Sequence, residues 1–319
     1  MATADSDALV FYGAALAVFG QFLGATSMLL MKRASVTEGE SVFYGRRTFQ
    51  IAFSIFFFNT VVLDAAVYAL APLTIVAPIT ALGIVFVNIG VALGVFVQRE
   101  RFGCRGLTAN VLIVAGLVMA SVCGPHSNAT PTLEEMYAMA RAPAFLAYAI
   151  PGLAVALSCC VALLLRWLPV RSHFKTVWCA LAAAVFGSLS VLCFKGVATV
   201  VRLTLEGHSQ LREPGTWLLM LGAVVCAPAN VTLMNLTFEE SEASYGMPLY
   251  QALLILATIV SGGVFYDEFG PWASEARAIG QPGWVIGFGV GVATLLSGIV
   301  LVASQPSQSG LERKSRGLV

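Results

Sequence analysis

The sequence predicts an all-α, polytopic membrane protein of about nine transmembrane helices in two inverted repeats. Three observations lead there. The 319 residues are 58% hydrophobic and only 11% charged, against about 25% charged in ordinary soluble chains. The few charges fall almost entirely between apolar stretches, most of them long enough to meet the requirement of about 20 residues for crossing the hydrocarbon core as a helix. Those stretches are continuous rather than alternating, which argues against a β-barrel.

The predicted spans follow in order. Leu9–Met31 comes after an acidic leader with Asp5 and Asp7 and ends at Lys32-Arg33. It lacks the basic front end of a cleaved signal and reads as a retained helix. Thr48–Leu70 and Leu73–Val97 are parted only by Ala71-Pro72, and Leu107–Cys123 is short. Pro143–Leu165 is the fifth span, and Phe174–Phe194 is the sixth, closed by Lys195. Gly215–Phe238, Ala243–Tyr266 and Gly283–Ala303 complete the set. Gly20 and Gly24, Gly90 and Gly94, and the series Gly287, Gly289, Gly291 supply the small faces through which membrane helices approach one another.

Lys and Arg set the orientation, because short loops rich in them stay on the cytoplasmic side. Of the 18 such residues, thirteen fall on the side of Lys32–Arg47, with Arg99, Arg101, Arg105, Arg166, Arg171, Lys175 and the tail residues Arg313, Lys314 and Arg316. Arg141, Lys195, Arg202, Arg212 and Arg277 face the other way. The amino terminus is therefore expected outside or in a lumen, and the carboxyl terminus in the cytosol. Asn128, in an Asn-Ala-Thr sequon followed by Pro131, falls in a loop on the outer side and is a candidate glycosylation site.

The chain echoes itself. Pro78 and Pro248 open the third and eighth spans, which run on to Glu100 and Glu268 just before Phe-Gly or its near equivalent. The first and sixth spans both reach a lysine, in SMLLMKRA and SVLCFKGV. Residues 1–142 read as a first repeat of four spans with an outer loop, 143–172 as a connecting span, 173–304 as a second repeat, and 305–319 as a polar cytosolic tail. An odd number of crossings between repeat starts inverts the halves, a layout of many secondary transporters with a site near mid-membrane.

Ionisable groups at bilayer depth are costly unless paired or hydrated. Asp64 lies toward the outer end of the second span with Thr60 and Val61 one turn behind it. Thr232, Asn235 and Glu239 form a polar stripe along the seventh. Oxygen ligands of this kind suit a hard cation such as magnesium, which makes Asp64, Asn235 and Glu239 candidate metal-contacting residues. Thr232, Lys195 and the helix-breaking Pro78 and Pro248 are candidates for the transport path. The competing reading is solvation near the headgroups for Asp64, a wet loop for Glu239, Glu240 and Glu242, and helix-to-helix hydrogen bonds for Asn88 and Gln21.

Other chemistry finds no support. The seven cysteines make no CxxC pair and lie mostly within spans, so a disulfide framework or zinc site is not expected. His126, His173 and His208 lie outside the spans and form no HExxH motif; no phosphate loop or serine elbow is present. The chain reads as no enzyme, with no permanently bound cofactor. A net charge of +1 gives no sign of a nucleic-acid surface.

These features resemble one family. GATSMLLMKRA in the first span, YALAPLTIVAPITALGIVF into the third, TLEEM in the outer loop, SVLCFKG closing the sixth and the segment from Pro248 through Tyr250 to FYDEF are similar to the NIPA-like magnesium transporters of the drug/metabolite transporter superfamily. The resemblance implies a drug/metabolite transporter-like fold and potential-driven uptake of magnesium and other divalent cations without ATP, in the plasma membrane or early endosomes. The bilayer and the cation are then its partners, and a homodimer is left open. Family members commonly carry a glutamate where this chain has Val61 and an asparagine where it has Asp64, so the charge sits one turn further along. The alternatives are an organic-solute or nucleotide-sugar carrier of the same superfamily, and a non-transporting membrane scaffold.

Overall fold

A computed structural model describes residues 2–38, 43–64, 66–67, 79–98, 103–124, 133–167, 172–205, 213–267, 269–270, 272, 274 and 283–304. Pro78, Asn128, Glu100, Glu268 and the tail 305–319 lie outside the described residues. The described chain is helical throughout: α1 (Ala2–Thr37), α2 (Arg47–Phe58), α3 (Leu82–Leu93), α4 (Cys104–Cys123), α5 (Leu133–Arg141), α6 (Pro143–Leu164), α7 (His173–Leu205), α8 (Pro214–Glu240), α9 (Ala243–Phe265) and α10 (Gly283–Ala303). A π-helical turn, Asn59–Leu63, continues α2.

Seven of these helices are long and apolar enough to cross a bilayer among the described residues, and the protein is an integral membrane protein. The expected second and third spans are represented by shorter apolar helices, Arg47–Leu63 and Leu82–Leu93. Span three stops earlier than the sequence suggested. Gly94 adopts φ 73°, a left-handed cap that ends α3 instead of packing a helix face.

The sixth span overshoots. Lys195 does not close it; α7 runs ten residues further, to Leu205. At 33 residues it is about 50 Å long, well beyond the hydrocarbon thickness of about 30 Å. The apolar run Val197–Val201 carries it on, with Val200 buried against Met136 and Phe265. Met136 belongs to α5, so the TLEEM loop is in part a short helix. Glu134 and Glu135 sit in its first turn and Arg141 in its last, each favourable to the helix dipole.

The helices fall into two compact units, each drawn from separate stretches of chain. The first comprises Met1–Gly124, Thr237–Ala252 and Trp284–Val319, and the second Pro125–Leu236 and Leu253–Gly283. Within the first, α4 and α10 cross at close range through glycine. A methyl group on Gly116 would stand 2.7 Å from the Gly291 carbonyl, and one on Gly298 2.9 Å from that of Ala109. Within the second, α6 turns Leu146, Ile150, Leu153, Leu157, Val161 and Leu164 outward at helical spacing, a face suited to lipid. Its opposite face is small and buried: Ala156, Cys159 and Ala162. Among the described residues no disulfide joins any of the seven cysteines.

Candidate functional site

Helix α1 builds one wall of a polar cluster inside the first unit. Gly20 and Gly24, one turn apart, both face Asn59. A methyl at Gly20 would lie 3.1 Å from Asn59 Oδ1 and 4.0 Å from Asp64 Oδ1, so the amide oxygen and the carboxylate converge on one bare stretch of α1. Only glycine leaves that space open.

The convergence depends on the π turn. In a regular helix residues five apart point about 140° away from each other, and Asp64 would share its face with Thr60 and Val61, as the sequence reading had it. Here the Asp64 N–H bonds the Asn59 carbonyl, an i to i+5 link that stacks Asp64 near Asn59. Val61 and Val62 are exposed, whereas Asn59 is buried. Such bulges recur at functional sites. The sequence carries no periodic signal for one added residue in a turn, so Asn59 escaped notice.

Among the described residues neither polar group meets a partner that satisfies it. Asn59 Oδ1 is buried with no hydrogen-bond partner among the described residues, and Asp64 has no ion-pair partner among them. Beside this pair, Gln21 leaves α1 toward α3. A methyl at Gly83 would stand 2.7 Å from Gln21 Oε1 and 3.3 Å from Gln251 Nε2, which reaches in from α9.

The other predicted residues fall elsewhere. Glu239 is helical rather than part of a wet loop, and its Oε1 accepts an ion-paired hydrogen bond from Arg46. Arg46 and Asp64 bracket the 17 residues of α2 and its π turn. Glu239 thus sits about 27 Å from Asp64 along that axis, and the two carboxylates do not share a site. Lys32, expected only to mark a helix end, donates to the carbonyls of Phe238 and Ser241, the latter at 2.6 Å. It caps the end of α8.

In the second unit Asn235 is fully buried, and Thr232 donates 2.7 Å back to the Pro228 carbonyl of its own helix. Lys195 places its ammonium 4.0 Å from the centre of the Tyr266 ring, a cation–π contact. Pro248 is buried inside α9, three residues before Gln251. Among the described residues no three His, Cys, Asp or Glu side chains cluster as a metal cage would require.

The model for the magnesium transporter NIPA family matches residues 9–306, nearly the entire chain. The chain belongs to the NIPA magnesium-transporter family. It is 27% identical over 211 residues to an Arabidopsis thaliana protein named probable magnesium transporter NIPA6, covering 66% of this chain and 61% of that one. A second Arabidopsis thaliana protein, probable magnesium transporter NIPA7, is 26% identical, with 74% and 68% covered. A Candida albicans probable magnesium transporter is 22% identical, with 79% and 64% covered. The matched stretch thus spans about three-fifths to two-thirds of these NIPA relatives' length. No solved structure matches. NIPA proteins are a transporter family and not an enzyme family.

Proposed function

We propose that this protein carries magnesium and related divalent cations across a membrane, driven by the membrane potential and without ATP. The observation that carries the reading is the convergence of a carboxylate and an unpartnered buried amide oxygen on Gly20, within a chain matched to the NIPA family over residues 9–306. Asp64 supplies negative charge, and Asn59 supplies an oxygen acceptor with no partner among the described residues. Asn235, Thr232, Lys195, Pro78 and Pro248 stay in the proposal as transport-path candidates on the strength of the sequence alone. Glu239, paired with Arg46, acts at the far end of α2 rather than beside Asp64.

The same proposal includes the inverted halves 1–142 and 173–304 of a drug/metabolite transporter-like fold. Their opening helices α1 and α7 are the two longest among the described residues, at 36 and 33 residues. The charge bias of the loops supports an outer or lumenal amino terminus and a cytosolic carboxyl terminus, in the plasma membrane or early endosomes.

Uptake into proteoliposomes at a set inside-negative potential tests this, comparing magnesium, calcium and manganese. Asp64→Asn removes a charge-assisted contact worth about 1.5–3 kcal/mol, so magnesium flux should fall at least about tenfold with expression intact. Asn235→Ala should reduce it as well. No cation flux in the parent, with uptake of an organic solute or none at all, would replace this reading with one of its rivals.

A further inference from the structure

Gln251 is nine-tenths buried, and its Oε1 has no hydrogen-bond partner among the described residues. It reaches the same point over Gly83 as Gln21, which places the two carboxamide groups no more than about 6 Å apart. Gly83 is itself buried, and its missing side chain is what lets both carboxamides approach. Any larger residue there would collide with Gln21 Oε1. Gln21 directly follows Gly20, so its backbone stands about 1.5 Å along α1 from the glycine that faces Asn59 and Asp64, while its side chain turns toward α3.

We infer that Gln21 and Gln251 form a second station for the transported dication, one that contacts its water shell and not the ion. The inference rests on the cation-transport reading above. Neutral amides cannot strip water from magnesium, which dehydrates reluctantly and keeps several waters when bound. Their oxygens accept hydrogen bonds from coordinated water almost as well as from any other donor. A buried acceptor with no partner among the described residues, on a carboxamide whose amino end borders Gly83, matches a ligand whose surface is all donors. A hexa-aqua dication has that surface. Asp64, which faces Gly20, the residue before Gln21, supplies the charge that holds it nearby.

The test uses cobalt(III) hexaammine, whose ammine shell does not exchange and presents only N–H donors. Magnesium uptake by the full-length protein is measured in proteoliposomes with the complex on both sides. The expected result is competitive inhibition. Gln251→Leu and Gln21→Leu should each raise its inhibition constant about tenfold, the loss of one or two hydrogen bonds to a charged ligand, and should raise the KM for magnesium in parallel. Gln251→Glu should lower the inhibition constant by a similar factor. Two leucine variants keep the outcome readable if one fails to fold. Magnesium uptake that ignores the complex, or inhibition that all variants leave unchanged, would overturn the station while leaving cation transport standing. Absent uptake in the parent would instead remove the reading on which the inference rests.

Discussion

Asn59 shows what an unsatisfied residue implies. A buried acceptor without a partner costs about 1–3 kcal/mol relative to a satisfied or apolar replacement. Asn59→Leu should therefore raise thermal stability in detergent while cutting magnesium uptake roughly tenfold, since one charge-assisted contact is lost. A variant that loses both together would make Asn59 a structural residue. The glycines beside it divide by distance. Gly20→Ala places a methyl 3.1 Å from Asn59 Oδ1 and should slow uptake, whereas at Gly24 the nearest atom, Asn59 Nδ2, is 3.6 Å away. Gly24→Ala should leave uptake unchanged and add up to about 1 kcal/mol from helix propensity. The sequence made Asp64 visible because a carboxylate among apolar residues stands out. Asn59 and Gln251 are polar but uncharged, and only their surroundings distinguish them.

At the scale of the element, the π turn decides where α2 points its side chains. Helix limits were legible where composition changes sharply, as at Gly283–Ala303 and Pro143, whose ring is tolerated in a helix's first turn. They were misjudged at Lys195, because a lone charge with a long apolar stem can stay mid-helix when an aromatic ring receives it. The π turn was invisible, because one inserted residue leaves composition unchanged. It acts as an insertion, which gives a test. Deleting Thr60 turns the i to i+5 link into an ordinary helical turn and keeps Asn59 and Asp64 on one face, so uptake should persist. Deleting Ile55, within the regular part of α2, rotates everything beyond by about 100° and should abolish it.

The start of α2 is held from outside the helix. Glu38 accepts the Thr48 hydroxyl and, at 3.2 Å, the Thr48 N–H, and chiefly the hydroxyl bond draws its carboxyl below the ordinary value of 4.5. A lowered folded value means the contribution is complete above the unfolded value and fades as pH falls through the folded one. Glu38→Gln should therefore lower the melting temperature at pH 7, and the difference from the parent should vanish in acid below the usual carboxylate range. A gap that persists there would assign the effect to packing.

For the whole molecule, distant parts of the chain are tied by charge at one end of α2. Arg46 reaches Glu239, 193 residues away, and Lys32 reaches carbonyls more than 200 residues away. Arg46 is 6% exposed, so its reversal leaves a buried charge unpaired and should cost about 3 kcal/mol. Arg46→Glu combined with Glu239→Arg should recover most of that. This layer lies far along α2 from Asp64, so the swap separates a holding role from an ion-binding one: the double variant should fold and transport, whereas Asp64→Asn should fold and not transport. The proposed driving force belongs to this scale too. A dication moving down the field without a counter-ion gains about 4.6 kcal/mol per 100 mV, twice the value for a single charge. That sustains a magnesium gradient of roughly 2,000-fold at equilibrium. Clamping the potential of loaded proteoliposomes at zero should therefore collapse accumulation to the external concentration, and restoring it should rebuild the gradient with no nucleotide present. Accumulation indifferent to the clamp would mean that a compensating charge moves with the ion, and Asp64, the carboxylate near Gly20 with no ion-pair partner among the described residues, would be the first group to test for carrying a proton the other way.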